Sequence, residues 1–435
     1  MSTSGSDSNP GTSSSPFLTI QKAANVVAAG GTILIRPGRY AGFTITRSGT
    51  SSEPITIRAA SGRPIVDGAV NGRVDVIKVS AAHDIRIEGL EITGSQGGNY
   101  SGAGIRTENR ASRILISDNL IHDNLSYGIN SHTSTAVTIR DNDIHHNGQG
   151  VQITNSGQGT SILDNDIHDN VFMVRNTPTS VNAHDDTGAV GIGFVRSTGA
   201  VLASGNRLWG NRAMSYDYGW DGSAFEIYGA SNVTITDNIA WDNENLLETG
   251  TDNTGPQCSG NVFARNVAYG ATSAGRSWGM FLRCAADMLV ANNTFHDLDG
   301  FAFSIGADSS NFSGSIGGLR VVNNIISLTG TGAKVFGLTT SLPASVSIDH
   351  NLGRTSGVYA TLPDGRSTSD PDTFTTWTGY QQHGVSGAPS FVSASGHDYR
   401  LKSDSPAIDV GVKVAGVSDT WAGDGPDLGR YERLP

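Results

Sequence analysis

Two glutamates occupy like positions in neighbouring sequence runs, an arrangement suited to paired acid/base work. The runs are Gly128-Ile-Asn-Ser-His132, Gly150-Val-Gln-Ile-Thr154, Gly191-Ile-Gly-Phe-Val195, Ala224-Phe-Glu-Ile-Tyr228, Leu246-Leu-Glu-Thr-Gly250, Gly279-Met-Phe-Leu-Arg283 and Ala302-Phe-Ser-Ile305. Apolar residues alternate within each, so the residues between them face outward. Stacking the runs gives one outward column of Asn130, Gln152, Gly193, Glu226, Glu248, Phe281 and Ser304, beside a second of His132, Thr154, Val195, Tyr228, Gly250 and Arg283. Glu226 and Glu248 would then point the same way at a strand spacing of about 4.8 Å. Carboxylates that close repel unless they share a proton, bind a cation or work as an acid and base. A fully solvated face would also tolerate them. Separations of about 5–5.5 Å suit a retaining glycosidase and wider ones an inverting enzyme; Asp221 and Asp252 are the reserve carboxylates for a wider pair.

The elements that must position these residues announce themselves as a repeat. Ile114-Leu-Ile-Ser-Asp-Asn-Leu-Ile-His-Asp-Asn124 returns as Val137-Thr-Ile-Arg-Asp-Asn-Asp-Ile-His-His-Asn147 and as Ser161-Ile-Leu-Asp-Asn-Asp-Ile-His-Asp-Asn170. A fixed period of this size, made of short β-branched runs bent at Asn, predicts the coils of a parallel β-helix. The marker Asn119, Asn142 and Asn165 continues at Asn206, Asn238, Asn266, Asn293, Asn324 and Asn351. These positions predict an internal ladder of amides that satisfies turn backbone. The column His122, His145, His168, Trp209, Trp241, Tyr269 and His296 reads as a stacked ring ladder on the surface, in preference to a metal site.

Composition agrees with a turn-rich all-β solenoid. Among 435 residues, 56 are Gly and only 16% are charged. The net charge of −11 argues against nucleic acid or an anionic membrane as partner, and no apolar run is long enough to span a bilayer. Met1 leads straight into Ser/Gly/Asp/Asn-rich sequence, as in a chain whose leader has been removed. Cys258 and Cys284 lie close to one coil apart. They predict one disulfide between neighbouring coils in an extracytoplasmic protein, with two buried thiols as the alternative.

Read in order, residues 1–54 form a cap and first strand, with a helix predicted from Ile20 to Ala28 and a strand from Thr32 to Ile35. Residues 55–355 form the helix of coils, about ten to twelve of them. Residues 356–435 form a covering segment read as a strand that packs back over the last coil. The opening motifs Gly5-Ser-Asp-Ser-Asn-Pro-Gly11, Pro16-Phe-Leu-Thr-Ile-Gln-Lys-Ala23 and Pro37-Gly-Arg-Tyr40 resemble those of secreted right-handed β-helix carbohydrate-active enzymes, notably pectate lyases of polysaccharide lyase family nine and alginate lyases of family six. The resemblance implies an all-β, single-stranded right-handed parallel β-helix with an N-terminal helix cap, secreted to the cell exterior. Motifs near Pro389-Ser-Phe-Val392, Asp398-Tyr-Arg-Leu401 and Ser405-Pro-Ala-Ile-Asp409 resemble the tail that follows many secreted β-helices.

Family nine lyases hold calcium in an Asp cluster and use a lysine as base. Asp217-Tyr-Gly-Trp-Asp221 resembles part of that calcium segment, and Asp185 with Asp186 would complete it, so the metal set is Asp185, Asp186 and Asp217. The lysine has no counterpart. The chain's lysines are Lys22, Lys78, Lys334, Lys402 and Lys413, and the expected place holds Glu248. Elimination would then fall to Arg283 or Arg276. There is no Gly-x-Ser-x-Gly elbow, phosphate loop or zinc spacing, nor the Asp set and Gly-His-Gly of polygalacturonases.

The sequence therefore points to a glycoside hydrolase of a poly- or oligosaccharide, with Glu226 and Glu248 as catalytic carboxylates. Arg283, Tyr228, Trp220, Tyr218, His132 and Gln152 would contact sugar, partly from the insertions at 171–189 and 211–222. No cofactor is required on this reading, although calcium can be held, and the chain is expected to act as a monomer. A calcium-assisted uronate lyase and a non-catalytic glycan-binding β-helix are the alternatives.

Overall fold

Short strands that alternate apolar and polar residues cannot bury a face alone, so they pair with copies of themselves. In the computed structural model they pair in parallel, coil upon coil, and the turns between them carry most of the remaining residues. The structure describes residues 1–155, 157–252, 258–270, 277–307 and 312–433. The chain divides into two compact units, Met1–Ser223 and Ala224–Pro435. Each is built of three parallel sheets, one for each strand of a coil.

In the first unit the registers bring like residues together. Ile87, Ile116, Ile139 and Ile162 stack in the first sheet. Ile92, Ile121, Ile144, Ile167 and Leu208 stack in the second, and Ile105, Ile129, Val151 and Ile192 in the third. All are fully buried, each contributing roughly 1.5–3 kcal/mol.

The Asp-Asn pairs make the bends. Asp118, Asp141 and Asp164 have φ of 57°, 55° and 54°, a left-handed conformation that Asp tolerates through local hydrogen bonding. Each following Asn turns inward. The backbone N–H and side-chain amide of Asn119 both donate to Asn142 Oδ1 at 3.0 Å. Asn142 repeats this with Asn165, and Asn165 with Asn206. A second ladder, Asn124, Asn147, Asn170 and Asn211, lines the next bend. The outer rings of His122, His145, His168 and Trp209 follow one another at 5.3, 5.0 and 4.1 Å between centroids.

The first unit opens with a cap. Asp7 accepts from the Leu18 and Thr19 N–H groups and from the Thr19 hydroxyl. Thr19 then caps a helix over Ile20–Val26 that buries Ile20, Ala23 and Ala24. The helix ends short of Ala28 because Val27 is already extended (φ −59°, ψ 136°), as suits a β-branched residue. Coiling begins at once: Thr32–Ile35 pairs with Ile55–Ala59. The two insertions fold as antiparallel pairs, Met173–Arg175 with Thr187–Gly188 and Ala213–Ser215 with Gly219–Asp221.

The second unit continues the same devices. Asn238, Asn266, Asn293, Asn324 and Asn351 form its ladder. Gln381, from beyond the coils, takes the next rung by accepting from both Asn351 donors. Phe303, Phe336 and Phe374 stack in the core at 5.7 and 5.3 Å. Phe374 comes from a capping helix, Pro371–Thr378, that Asp370 initiates. The segment after it does more than cover the last coil. Phe391, Tyr399, Leu401, Ala407 and Leu428 pack on Val267, Ile325 and Leu352, and Arg430 reaches the Asp237 and Asn238 carbonyls at 3.1 Å. The tail thus runs back along the second sheet of its unit. Cys258 and Cys284 form a disulfide with Cα atoms 5.4 Å apart.

Candidate active site

The third sheet of the second unit presents Glu226, Glu248 and Arg283. Glu226 lies in the strand Ser223–Tyr228, Glu248 in Asn245–Gly250, and Arg283 follows Trp278–Leu282. One backbone bond fixes the register of the glutamates. Where Thr154 faces Val195 in the first unit, Asn155 N–H donates to Val195 O. Gly229 N–H donates to Gly250 O in the same manner at 2.8 Å. Tyr228 therefore faces Gly250, and Glu226 faces Glu248. One coil on, Glu248 faces Phe281, and Phe281 faces Ser304.

The surroundings of the two carboxyls differ. Burial pushes Glu226 up to about 7, and the Glu248 charge adds to the shift. Glu248 instead has polar partners. The Asn245 amide donates to Oε1, and the Arg283 guanidinium stands 3.7 Å from Oε2. Arg283 also lies over the Phe281 ring at 5.1 Å, and Phe281 stacks on Trp278 at 5.4 Å. Tyr228 packs edge-on against Phe312. Asp252 lies beyond the end of the Glu248 strand, next to Thr251, whose hydroxyl donates to its carbonyl. Arg276 lies outside the described residues.

Asn245, Trp278 and Phe281 were not singled out by sequence spacing as site residues. A separation of three along a strand gives no reason for Asn245 to meet Glu248; it does so because it heads the strand as the chain leaves a turn. Phe281 was visible in the outward column, but its ring partner was not.

The first unit gathers Asp185, Asp186 and Asp217, with a carboxylate oxygen from each within 4.8 Å of the others. Backbone N–H groups of His184, Asp185 and Asp186 converge on Asp217 Oδ2. Asp186 accepts from Thr177 N–H and the Ser215 hydroxyl, and Arg175 holds Asp185 Oδ2 at 2.6 Å. Asp185 Oδ1 and Asp217 Oδ1 are buried and lack a hydrogen-bond partner. Two orphaned carboxylate oxygens in an all-oxygen cluster fit a hard cation such as calcium.

Other predicted contacts of the first unit differ in exposure, and Gln152 is buried, against the expectation that it meets sugar. Trp220 is exposed beside the Arg212 guanidinium, Tyr218 is exposed near the His184 ring, and Asp221 accepts from Gly222 N–H. Gln152 faces Asn130 and bonds the Thr154 hydroxyl. His132 faces Thr154; burial and the Arg106 charge lower its pKa.

The chain as a whole is similar to known proteins. The uncharacterized protein YwoF of Bacillus subtilis (strain 168) is 34% identical over 129 residues, which is 28% of each chain. Pectate lyase PEL9 of Emericella nidulans is 42% identical over 72 residues, 16% of this chain and 18% of that protein. The chain thus spans less than a third of the length of either curated relative. The solved structure of pectate lyase Pel9A aligns over 100% of this chain and 96% of its own, with a TM-score of 0.58 and 20% identity. The catalytic domain of a GH87 α-1,3-glucanase aligns over 83% of this chain and 64% of its own, with a TM-score of 0.51 and 13% identity. Both likenesses are of fold, a fold that polysaccharide lyases and glycoside hydrolases share. The family model of the Pel9A-like right-handed β-helix region matches residues 1–296, and the chain belongs to that Pel9A-like β-helix family.

Proposed function

We propose that the chain is a glycoside hydrolase in which Glu226 is the general acid and Glu248 the base or nucleophile. The observation that carries this reading is the split between two facing carboxyls. Burial and its neighbour's charge push one up to about 7; the Asn245 amide and the Arg283 guanidinium stand against the other. Environments that push a carboxyl pair apart in pKa assign acid and base. Glu226 would protonate the leaving oxygen while Glu248 attacks the anomeric carbon or activates water. Phe281 and Trp278 offer ring faces for a sugar, and Arg283 offers hydrogen bonds to its hydroxyls. The missing lysine supports hydrolysis over a family-nine elimination, since no lysine falls between residues 79 and 333.

A lyase is the second reading, favoured by the orphaned oxygens of Asp185 and Asp217. Those residues, with Asp186, would hold a calcium ion, which in such enzymes acidifies and binds a uronate. The test is a panel of plant, algal and microbial polysaccharides assayed with wild type, Glu226→Gln and Glu248→Gln. Reducing ends without an ultraviolet product, lost in both folded variants, support the hydrolase. An unsaturated product absorbing near roughly 235 nm, rising with calcium and surviving Glu248→Gln, returns the protein to the lyases.

A further inference from the structure

A second cluster of metal-ligating side chains lies far along the second unit from the glutamates, where the capping segment meets the last coil. Asp349, His350 and His383 each direct one ligand atom into a volume within 4.8 Å. His383 Nδ1 is 2.8 Å and His350 Nδ1 3.4 Å from the same oxygen, Asp349 Oδ2. The imidazoles lie face to face, 4.7 Å between centroids and 19° from parallel. His383 N–H meanwhile donates to Asp349 Oδ1 at 2.7 Å, fixing the carboxylate.

The sequence places a histidine where the other coils mostly carry Asp or Asn. His350 is the left-handed residue before Asn351, with φ 52°, the station of Asp118, Asp141 and Asp164 in the first unit. His383 comes from outside the coils, two residues after Gln381, which extends the Asn ladder. Val385 then bridges to Leu352. The three side chains therefore straddle the joint between the last regular coil and the segment that closes it.

We propose that Asp349, His350 and His383 bind a borderline divalent cation of the Zn2+ class, which clamps the capping segment to the last coil. Two imidazole nitrogens and one carboxylate oxygen are donors this class prefers, whereas calcium prefers oxygen throughout. Ligands about 2.0–2.1 Å from zinc in a tetrahedron stand roughly 3.3 Å from one another, near the separations seen. The fourth position is left for water. Because the ligands come from both sides of the joint, bound metal stabilises the closed arrangement by mass action.

The experiment uses the full chain, stripped with EDTA and dialysed. Zn2+ is titrated against a chromophoric chelator, and melting is followed with and without Zn2+, for wild type, His350→Gln and His383→Gln. His383 is exposed and His350 lies in a surface turn, so both variants should fold, and their metal-free melting curves check it. The expected result is a zinc equivalent in wild type that is bound about tenfold or more weakly in either variant, with the zinc-induced rise in melting temperature lost. Calcium should give no rise that depends on these histidines. Equal zinc binding and equal melting shifts in all three proteins would overturn the site, leaving the imidazoles as hydrogen-bond donors to Asp349 and moving any zinc to the His122–His145–His168 column.

Discussion

At the residue scale the decisive quantity is the protonation of Glu226. As general acid it must keep its proton, so kcat/KM should fall as pH rises through about 7. Glu226→Gln should remove that alkaline limb together with about 10²–10⁴ of the rate. The same shift bears on stability. The folded pKa lies above the unfolded value of 4.5, so the folded chain binds this proton more tightly. Below 4.5 there is no penalty; between 4.5 and about 7 the unfolded chain ionises while the folded one does not, and stability drops. Glu226→Gln should therefore be more stable than wild type at pH 8, by about 1–3 kcal/mol, and no more stable at pH 4. Urea unfolding at both pH values measures the difference. If facing strands hold the carboxyls near the parallel spacing of about 4.8 Å, the geometry suits double displacement. The first product seen by proton NMR should then keep its anomeric configuration.

At the scale of elements, the internal amides should matter more than the external rings, although both recur with equal regularity. Removing the Asn165 side chain strips the acceptor from the buried Asn142 N–H, a loss of about 1–3 kcal/mol. Removing His145 costs ring contacts on a wet surface, about 0.5–1.5 kcal/mol. Denaturation of Asn165→Ala against His145→Ala tests the order. The insertion hairpins carry a different expectation: calcium at a hundredfold excess over its dissociation constant should stabilise by about 2.7 kcal/mol, and Asp217→Asn should abolish the melting shift. Much of this was legible in the sequence. Asn119, Asn142 and Asn165 recur in step, and parallel pairing converts equal spacing into contact, so the amide ladder, the ring column and the Glu226–Glu248 column could all be read. The second ladder at Asn124, Asn147 and Asn170 obeys the same spacing and was legible in principle. Asn245 and His383 were not, because one heads a strand out of a turn and the other belongs to a segment with no repeat.

At the scale of the molecule, the non-repeating tail decides whether the second unit is closed. The apolar outer face of this unit's second sheet is covered from within the chain. Phe391, Tyr399, Leu401, Ala407 and Leu428 supply the cover over Val267, Ile325 and Leu352. Arg430 ties the far end to Asp237 and Asn238. A solenoid sheet stripped of such a cover exposes a contiguous apolar patch, which promotes association. Ending the chain after Ser386 keeps Phe374 and Gln381 but removes the cover. That truncated protein should bind a hydrophobic dye and aggregate on mild warming, whereas the milder Phe391→Ala should stay monomeric and lose about 3–5 kcal/mol. If the truncated protein instead melted like wild type without dye binding, the tail would be an ornament on a face that is stable bare, and the packing of Tyr399 and Leu401 would carry no weight in folding.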